Sequence, residues 1–143
     1  MTVKQLSVFL ENREGRLQQI FNILKEANVN VVSVSIAETS DYGLARMIVD
    51  DAQKASNILL QHGDILSMTP VWAVEVPDKP AGLANLLSVL AENHIDVEYM
   101  YSLFTHRDGM AYMVLRISNE AAFTTALAGT GIRVVGNEEL GLK

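Results

Sequence analysis

Two six-residue segments carry the side chains best suited to chemistry in this chain. Asn12-Arg13-Glu14-Gly15-Arg16-Leu17 follows an alternating apolar run, and Asp78-Lys79-Pro80-Ala81-Gly82-Leu83 follows a second such run 66 residues later. Each lies where a strand pattern gives way to a helical one. At such a junction the first backbone N–H groups of the helix have no intrahelical acceptor and sit at the positive end of its dipole, so they suit a small anion. Asn12 and Asp78 are residues that cap helices. Gly15 and Gly82 let the backbone come close to another group, and Pro80 presets φ for a first helical turn. The same residue types also serve a well-made helix start with no ligand, and the segments alone do not separate the two uses.

Elsewhere the chain is poor in catalytic arrangements. It has no cysteine, which removes disulfides, thiolate nucleophiles and Cys-based metal sites. His62, His94 and His106 fall at a helix end, a helix-to-strand turn and a hairpin, without metal-ligand spacing. They read as solvated or capping residues, and no metal is expected. Asp50-Asp51 and Glu138-Glu139 are adjacent pairs at element ends, expected to be solvated. With no nucleophile–base pair and no phosphate loop, the expectation is a non-enzyme without cofactor.

The elements that position the two segments come from a repeat. At a constant offset of 66 the halves align without a gap, pairing Val8 with Val74, Leu17 with Leu83, Leu24 with Leu90, Val31 with Val97, Thr39 with Thr105, Gly43 with Gly109 and Gly63 with Gly129. Leu6, Val8 and Leu10, matched by Trp72, Val74 and Val76, have the period of a half-buried strand. Leu17, Ile20, Phe21, Leu24 and Ala27, matched by Leu83, Leu86, Leu87 and Leu90, form the stripe of a helix that ends near Asn28 or His94. The β-rich stretches VNVVSVSIAE and IDVEYMYSLF run to the turns TSDYG and THRDG, with Gly43 and Gly109 expected at positive φ. Ala45, Met47 and Val49 share one face of a third strand. Ala52 to His62 and Asn119 to Ala128 read as helices closed by Gly63 and Gly129. DILSM and IRVV finish the halves, with MTPV as a short linker between them.

The order is βαββαβ twice, and right-handed crossovers fold each half as a split βαβ unit. The expected class is therefore α+β: two ferredoxin-like units in tandem, 1–69 and 70–143, each an antiparallel sheet with both helices on one face.

With the two segments on this element order, the chain resembles the ACT domain family, small regulatory modules that bind amino acids. NREGRL and DKPAGL resemble the family's Asp/Asn-x-Pro-Gly-x-Leu pattern, and ANVNV and NHIDVEYMYS resemble its passage from first helix to second strand. The resemblance implies a ligand where two units meet, between the strand–helix loop of one and the second strand of its neighbour. Its residues would be Asn12, Glu14, Gly15, Arg16 and Leu17 with Asp78, Pro80, Ala81, Gly82 and Leu83, faced by Ser33, Val34, Ser35, Tyr99, Met100 and Tyr101. Glu14 stands where the family commonly has proline, and its charge would repel a carboxylate. Ala81 stands where the family commonly has glycine, with Gly82 one position later. Both copies are expected to take part, although one working copy or none also fits the residues.

Composition narrows the partners. Seventeen acidic residues against 11 basic ones give a net charge of −6, without the basic footprint of a nucleic-acid or membrane-surface protein. Tyr99, Tyr101, Phe104 and Tyr112 suggest an aromatic platform of the RNA-binding kind, but the acidic charge argues against RNA. No run approaches the roughly 18 apolar residues of a membrane span. The start, MTVKQLSVFL, lacks the features of a secretory signal, so the cytoplasm is the expected location. The resemblance therefore implies an allosteric amino-acid sensor, a homodimer acting on itself or on a regulated enzyme. An oligomerisation module with vestigial sites, or a small enzyme on the same fold, are the alternatives. Trp72, Tyr99 and Tyr101 would favour an aromatic or imidazole ligand if they face the pocket.

Overall fold

The structure, a computed structural model, describes residues 1–38 and 41–143. Thr39 and Ser40, part of the first expected turn, lie outside the described residues. The chain has the expected α+β, ferredoxin-like organisation and forms two compact units, Lys4–Thr69 with Gly141–Lys143, and Pro70–Leu140 with Met1–Val3.

The first unit contains β1 (Val3–Glu11), α1 (Arg16–Glu26), β2 (Val31–Glu38), β3 (Tyr42–Val49), α2 (Ala52–Gln61) and the start of β4 (Leu66–Pro77). Its strand order is β2-β3-β1-β4. Leu6, Val8, Leu10, Ala45, Met47 and Val49 turn to the helices and close a core with Ile20, Leu24, Ala55 and Leu59. On the other face Gln5, Ser7 and Ser33 are buried too, and Gln5 Nε2 donates to Ser7 Oγ at 3.1 Å.

The second unit contains the rest of β4, α3 (Pro80–Glu92), β5 (Val97–Ser102), β6 (Met110–Ile117), α4 (Glu120–Leu127), β7 (Arg133–Val135) and α5 (Asn137–Leu140), with strand order β5-β6-β4-β7. Trp72 belongs to its core: the indole packs on Phe123 with ring centroids 4.8 Å apart, on the helix side of the sheet with Val74, Val76, Leu86 and Leu90. The expected linker MTPV does not exist as a loop. It lies inside β4: proline biases the residue before it to extended backbone, and Pro70 comes ahead of Trp72, where the pairing of β4 with β6 begins.

Helix endings repeat more faithfully than helix beginnings. Asn28 and His94 hold left-handed φ of 58° and 57°. In each, the following residue, Val29 or Ile95, donates its N–H at 2.9 Å to Leu24 or Leu90, a Schellman closure. Gly63 closes α2 in the same way, with Asp64 N–H on Leu59 O at 3.1 Å. Gly109 has the expected positive φ of 71°. Gly43 does not: it lies in β3, opposite Leu10 and Glu38, with ordinary strand backbone.

The buried helix line differs from the expected stripe. Leu17, Leu83 and Leu87 remain 36%, 38% and 38% exposed. The residues that face the sheet are Arg16, Ile20 and Leu24 in α1, and Gly82, Leu86 and Leu90 in α3, each an i, i+4, i+8 line. Gly82 is required by close approach and not by φ, since a Cβ there would overlap the Pro77 carbonyl oxygen. Gly82→Ala should therefore destabilise the protein by about 1–3 kcal/mol or more, read from the urea midpoint, whereas Ala84→Ser on the exposed side of α3 should leave it within about 0.5 kcal/mol.

Candidate functional site

In the first unit the segment between β1 and α1 is a tight turn. Arg13 N–H donates to Glu11 O at 2.9 Å, and Gly15 occupies the N-cap position with φ 76°. Gly15 is thus needed for its left-handed backbone, since a Cβ would meet only Gln18 Oε1 at 3.9 Å. Asn12 does not cap the helix. Among the described residues no side chain caps α1, and its first turn has no acidic residue, a helix start whose N–H groups and dipole suit an anion.

Charge gathers behind this turn. Glu11 accepts from Arg13 Nε at 3.2 Å and from Arg16 Nε at 3.3 Å, while Arg13 Nη2 donates to Gln19 Oε1 at 3.1 Å. Arg16, almost wholly buried, also donates from Nη2 to Asp64 Oδ1 on the turn after α2. The bond from Arg13, helped by Arg16, holds the Glu11 carboxyl below the usual carboxylate range. Burial works against the Arg16 charge, but Asp64 and then Glu11 outweigh it and raise its pKa.

Two cavities open beside Arg16. One, of about 220 Å³, is lined by Leu10, Glu11, Asn12, Arg13, Arg16, Leu17, Ile36, Glu38, Tyr42 and Gly43. The other, of about 230 Å³, lies against Glu11, Arg13, Arg16, Gln19, Ile23, His62, Gly63 and Asp64. Of the expected residues, Asn12, Arg16 and Leu17 therefore come together, while Glu14 and Gly15 are exposed on the turn. Ser33, Val34 and Ser35 do not join them within this unit. Register explains why: Leu10 is opposite Gly43, which is opposite Glu38, whereas Ser35 is level with Arg46 and Ser7. Three residues along a strand is roughly 10 Å. Val34 packs into the core and Ser33 is buried, so the strand wall of this cavity is Ile36 and Glu38.

The second unit places its segment differently. Lys79, not Asp78, is the N-cap of α3, and it makes no side-chain cap bond. Asp78 N–H instead donates to Gly109 O at 2.9 Å, and Pro80 takes the first helical position as expected. Asp78, Pro80, Ala81 and Leu83 are exposed and Gly82 is buried against β4. A cavity of about 470 Å³ nearby is lined by Pro77, Asn85, Ser88, Val89, Thr130, Gly131 and Ile132, none of them an expected site residue. Met100 packs against the core, while Tyr99 and Tyr101 stack at 6.5 Å on the other face of β5.

Sequence reasoning missed the densest charge cluster of this unit. Glu75, 2% exposed, accepts from Arg107 Nε and Nη2 at 2.9 and 2.7 Å and from Arg133 Nη2 at 3.3 Å. Arg133 Nη2 also reaches Glu139 at 2.9 Å. The signal was present as the acid in the apolar run VWAVEV. The Arg107 bond, against the opposing effect of burial, holds the Glu75 carboxyl below its usual range. Tyr112, directly across on β6, is pushed up by burial and by Glu75 and Glu139. The adjacent pair Asp50-Asp51, expected only to be solvated, also anchors backbone: Asp51 caps α2 by accepting from Lys54 N–H at 3.2 Å, and Asp50 accepts from Asn30 N–H at 3.0 Å. Among the described residues, no group of three or more His, Cys, Asp or Glu side chains is placed to hold a metal ion, and no helix is long and apolar enough to cross a membrane.

With this geometry in place, the comparisons identify the family. The family described as an ACT domain pair matches residues 1–141, and the chain belongs to it. The structure is similar to that of protein BT0572 from Bacteroides thetaiotaomicron, with 33% identity, TM-score 0.90, and coverage of 99% of this chain and 96% of that one. It also shares its fold with the regulatory subunits of aspartate kinase from Thermus thermophilus, in ligand free form (15% identity, TM-score 0.64, 87% of each chain), and Thermus flavus (18%, 0.62, 86% of this chain and 87% of that one). No curated protein matches the chain.

Because the folded-state pKa of Glu75 is depressed, its contribution to stability is present above the unfolded value of about 4.3 and disappears as pH falls through the folded value. Glu75→Gln should lower stability at neutral pH by about 1–3 kcal/mol and flatten the acid limb of a stability-against-pH curve measured in urea. An unchanged acid limb would place the acid sensitivity elsewhere.

Proposed function

We propose that this ACT domain pair is a regulatory sensor that binds a free amino acid beside the turn between β1 and α1. The observation that supports the reading most directly is the cavity of about 220 Å³ at this turn, whose wall carries both signs of charge around an apolar patch. A zwitterion needs that combination. The uncapped N–H groups of α1 suit its carboxylate, and Asn12, Glu11 and Glu38 offer oxygens for its ammonium. Leu10, Leu17 and Ile36 suit an aliphatic portion. Glu14 lies outside the cavity wall on the exposed turn, which lessens its repulsion of an incoming carboxylate.

Binding at this turn would alter the first turn of α1, and the output is a change in self-assembly or in contact with a regulated enzyme. A ligand shifts such an equilibrium only through its different affinity for the two states. A second copy of the chain is the proposed partner. In support, α3 has no charged residue from Pro80 to Ala91, and Leu83 and Leu87 remain 38% exposed. Leu87→Glu should move the sedimentation coefficient from dimer to monomer at micromolar concentration; a chain already monomeric before substitution would remove the dimer from the proposal.

A thermal-shift screen against the twenty amino acids tests the sensor. One amino acid, at about 100 times its Kd, should raise Tm by roughly 5–10 °C above the others. A flat screen would favour an oligomerisation module with vestigial sites.

A further inference from the structure

We propose that only the first repeat reads the ligand, with Arg16 as the residue that takes its carboxylate and Asp64 as the positioning residue that fixes Arg16. The inference rests on the amino-acid site proposed above and adds the recognition element and the stoichiometry.

Glu11, Arg13 and Arg16 line both cavities at the start of α1, and of the three only Arg16 is buried, at 9% exposed. Its Nε is held by Glu11 and its Nη2 by Asp64 Oδ1, while no described residue accepts from Nη1. A guanidinium and a carboxylate ordinarily pair through two parallel bonds. Here Asp64 uses one oxygen only, and its Oδ2 is buried without a partner. The one-point attachment leaves the Nη1 donors for a second, external carboxylate, which a planar guanidinium can bind without releasing Asp64.

Asp64 can act as a fixed anchor because its backbone is fixed. It follows Gly63, which has φ 85°, and its N–H is bonded to Leu59 O at 3.1 Å at the end of α2. Glu11 alone would not suffice: its side chain is 54% exposed and is shared with Arg13.

The second repeat lacks every part of this device. At the 66-residue offset Arg16 becomes Gly82, Asp64 becomes Thr130 and Glu11 becomes Pro77. Gly82 has no room for even a methyl group, and Thr130 turns its hydroxyl to Leu127 O at 2.6 Å. The cavity there, about 470 Å³, shares the lining positions of the polar one, Gln19 with Asn85 and Ile23 with Val89, but has no charged wall. Where Arg16 stands in the first repeat the second has backbone against backbone, and where Asp64 stands it has the neutral Thr130 at the cavity wall.

Isothermal titration of the full chain with each of the twenty amino acids tests this. The expected result is one binding site per chain. Arg16→Lys keeps the positive charge but loses the Nη1 donors, and should weaken binding by roughly tenfold or more. Asp64→Asn should weaken it as well, and the double variant should lose less than the product of the two single losses. Circular dichroism melts report the fold of each variant. Two equivalent sites per chain, measurable without any substitution, would overturn the proposal while leaving the sensor intact, as would unchanged affinity in Arg16→Lys. Asp64→Asn that lowers Tm but not affinity would reduce Asp64 to a structural residue and overturn its assignment. Absence of binding by every amino acid would overturn both this proposal and the sensor.

Discussion

Helix α3 comes so close to the end of β4 that a methyl group on Gly82 would overlap the Pro77 carbonyl oxygen. In each unit the first turn of a helix must pass the last residues of the preceding strand, and the first position of the buried line faces that strand. The two repeats meet this constraint with opposite residues. Gly82 lets backbone meet backbone, so α3 is seated by contact. Arg16 inserts a long cation at the equivalent point, and its buried charge must be matched by carboxylates. Burial of an unmatched guanidinium would be strongly unfavourable. Glu11 and Asp64 follow from that requirement, and so do the polar walls of the cavities on either side.

The Glu75 cluster places a charge in the opposite sense. There the acid is buried in the sheet and its arginines approach from the surface, with Arg107 side chain 62% and Arg133 side chain 47% exposed. Such partners are screened, and their main effect is to keep a strand carboxylate satisfied and to tie the β5–β6 hairpin and β7 to β4. The Arg16 cluster is more enclosed. A buried, fixed cation beside a half-open cavity is preorganised in a way that flexible surface arginines are not, which is why the functional reading attaches to the first unit.

Much of the scaffold was legible because local rules and the repeat agree. The Schellman closures at Asn28, Gly63 and His94, proline at the start of α3, and the alternation through β1 and β3 all follow from short-range sterics and periodicity. The site was less legible. The segment NREGRL lines a cavity through Asn12, Arg13, Arg16 and Leu17, but the sequence did not show which strand residues of its own unit stand level with it, and register makes these Ile36 and Glu38. Register depends on how three strands pair at once, and period-two patterns fix faces without fixing offsets. Period two put Trp72 on the same strand face as Val74 and Val76 but did not say whether that face meets a ligand; packing on Phe123 makes it a core face.

By itself the sequence determined the doubled βαββαβ order, the absence of thiol chemistry and the two loops that open each first helix. These depend on residue type, period and offset, all of which are local. Only the tertiary structure decided that residue 16 or 82, and not Leu17 or Leu83, begins the buried helix line. It also decided that Arg16 meets a carboxylate 48 positions away. The physical reason is that helix rotation and long-range ion pairing are set by the packing of the core as a whole. A leucine and an arginine side by side in one turn cannot both face the sheet, and the choice falls to the geometry of the strand they meet.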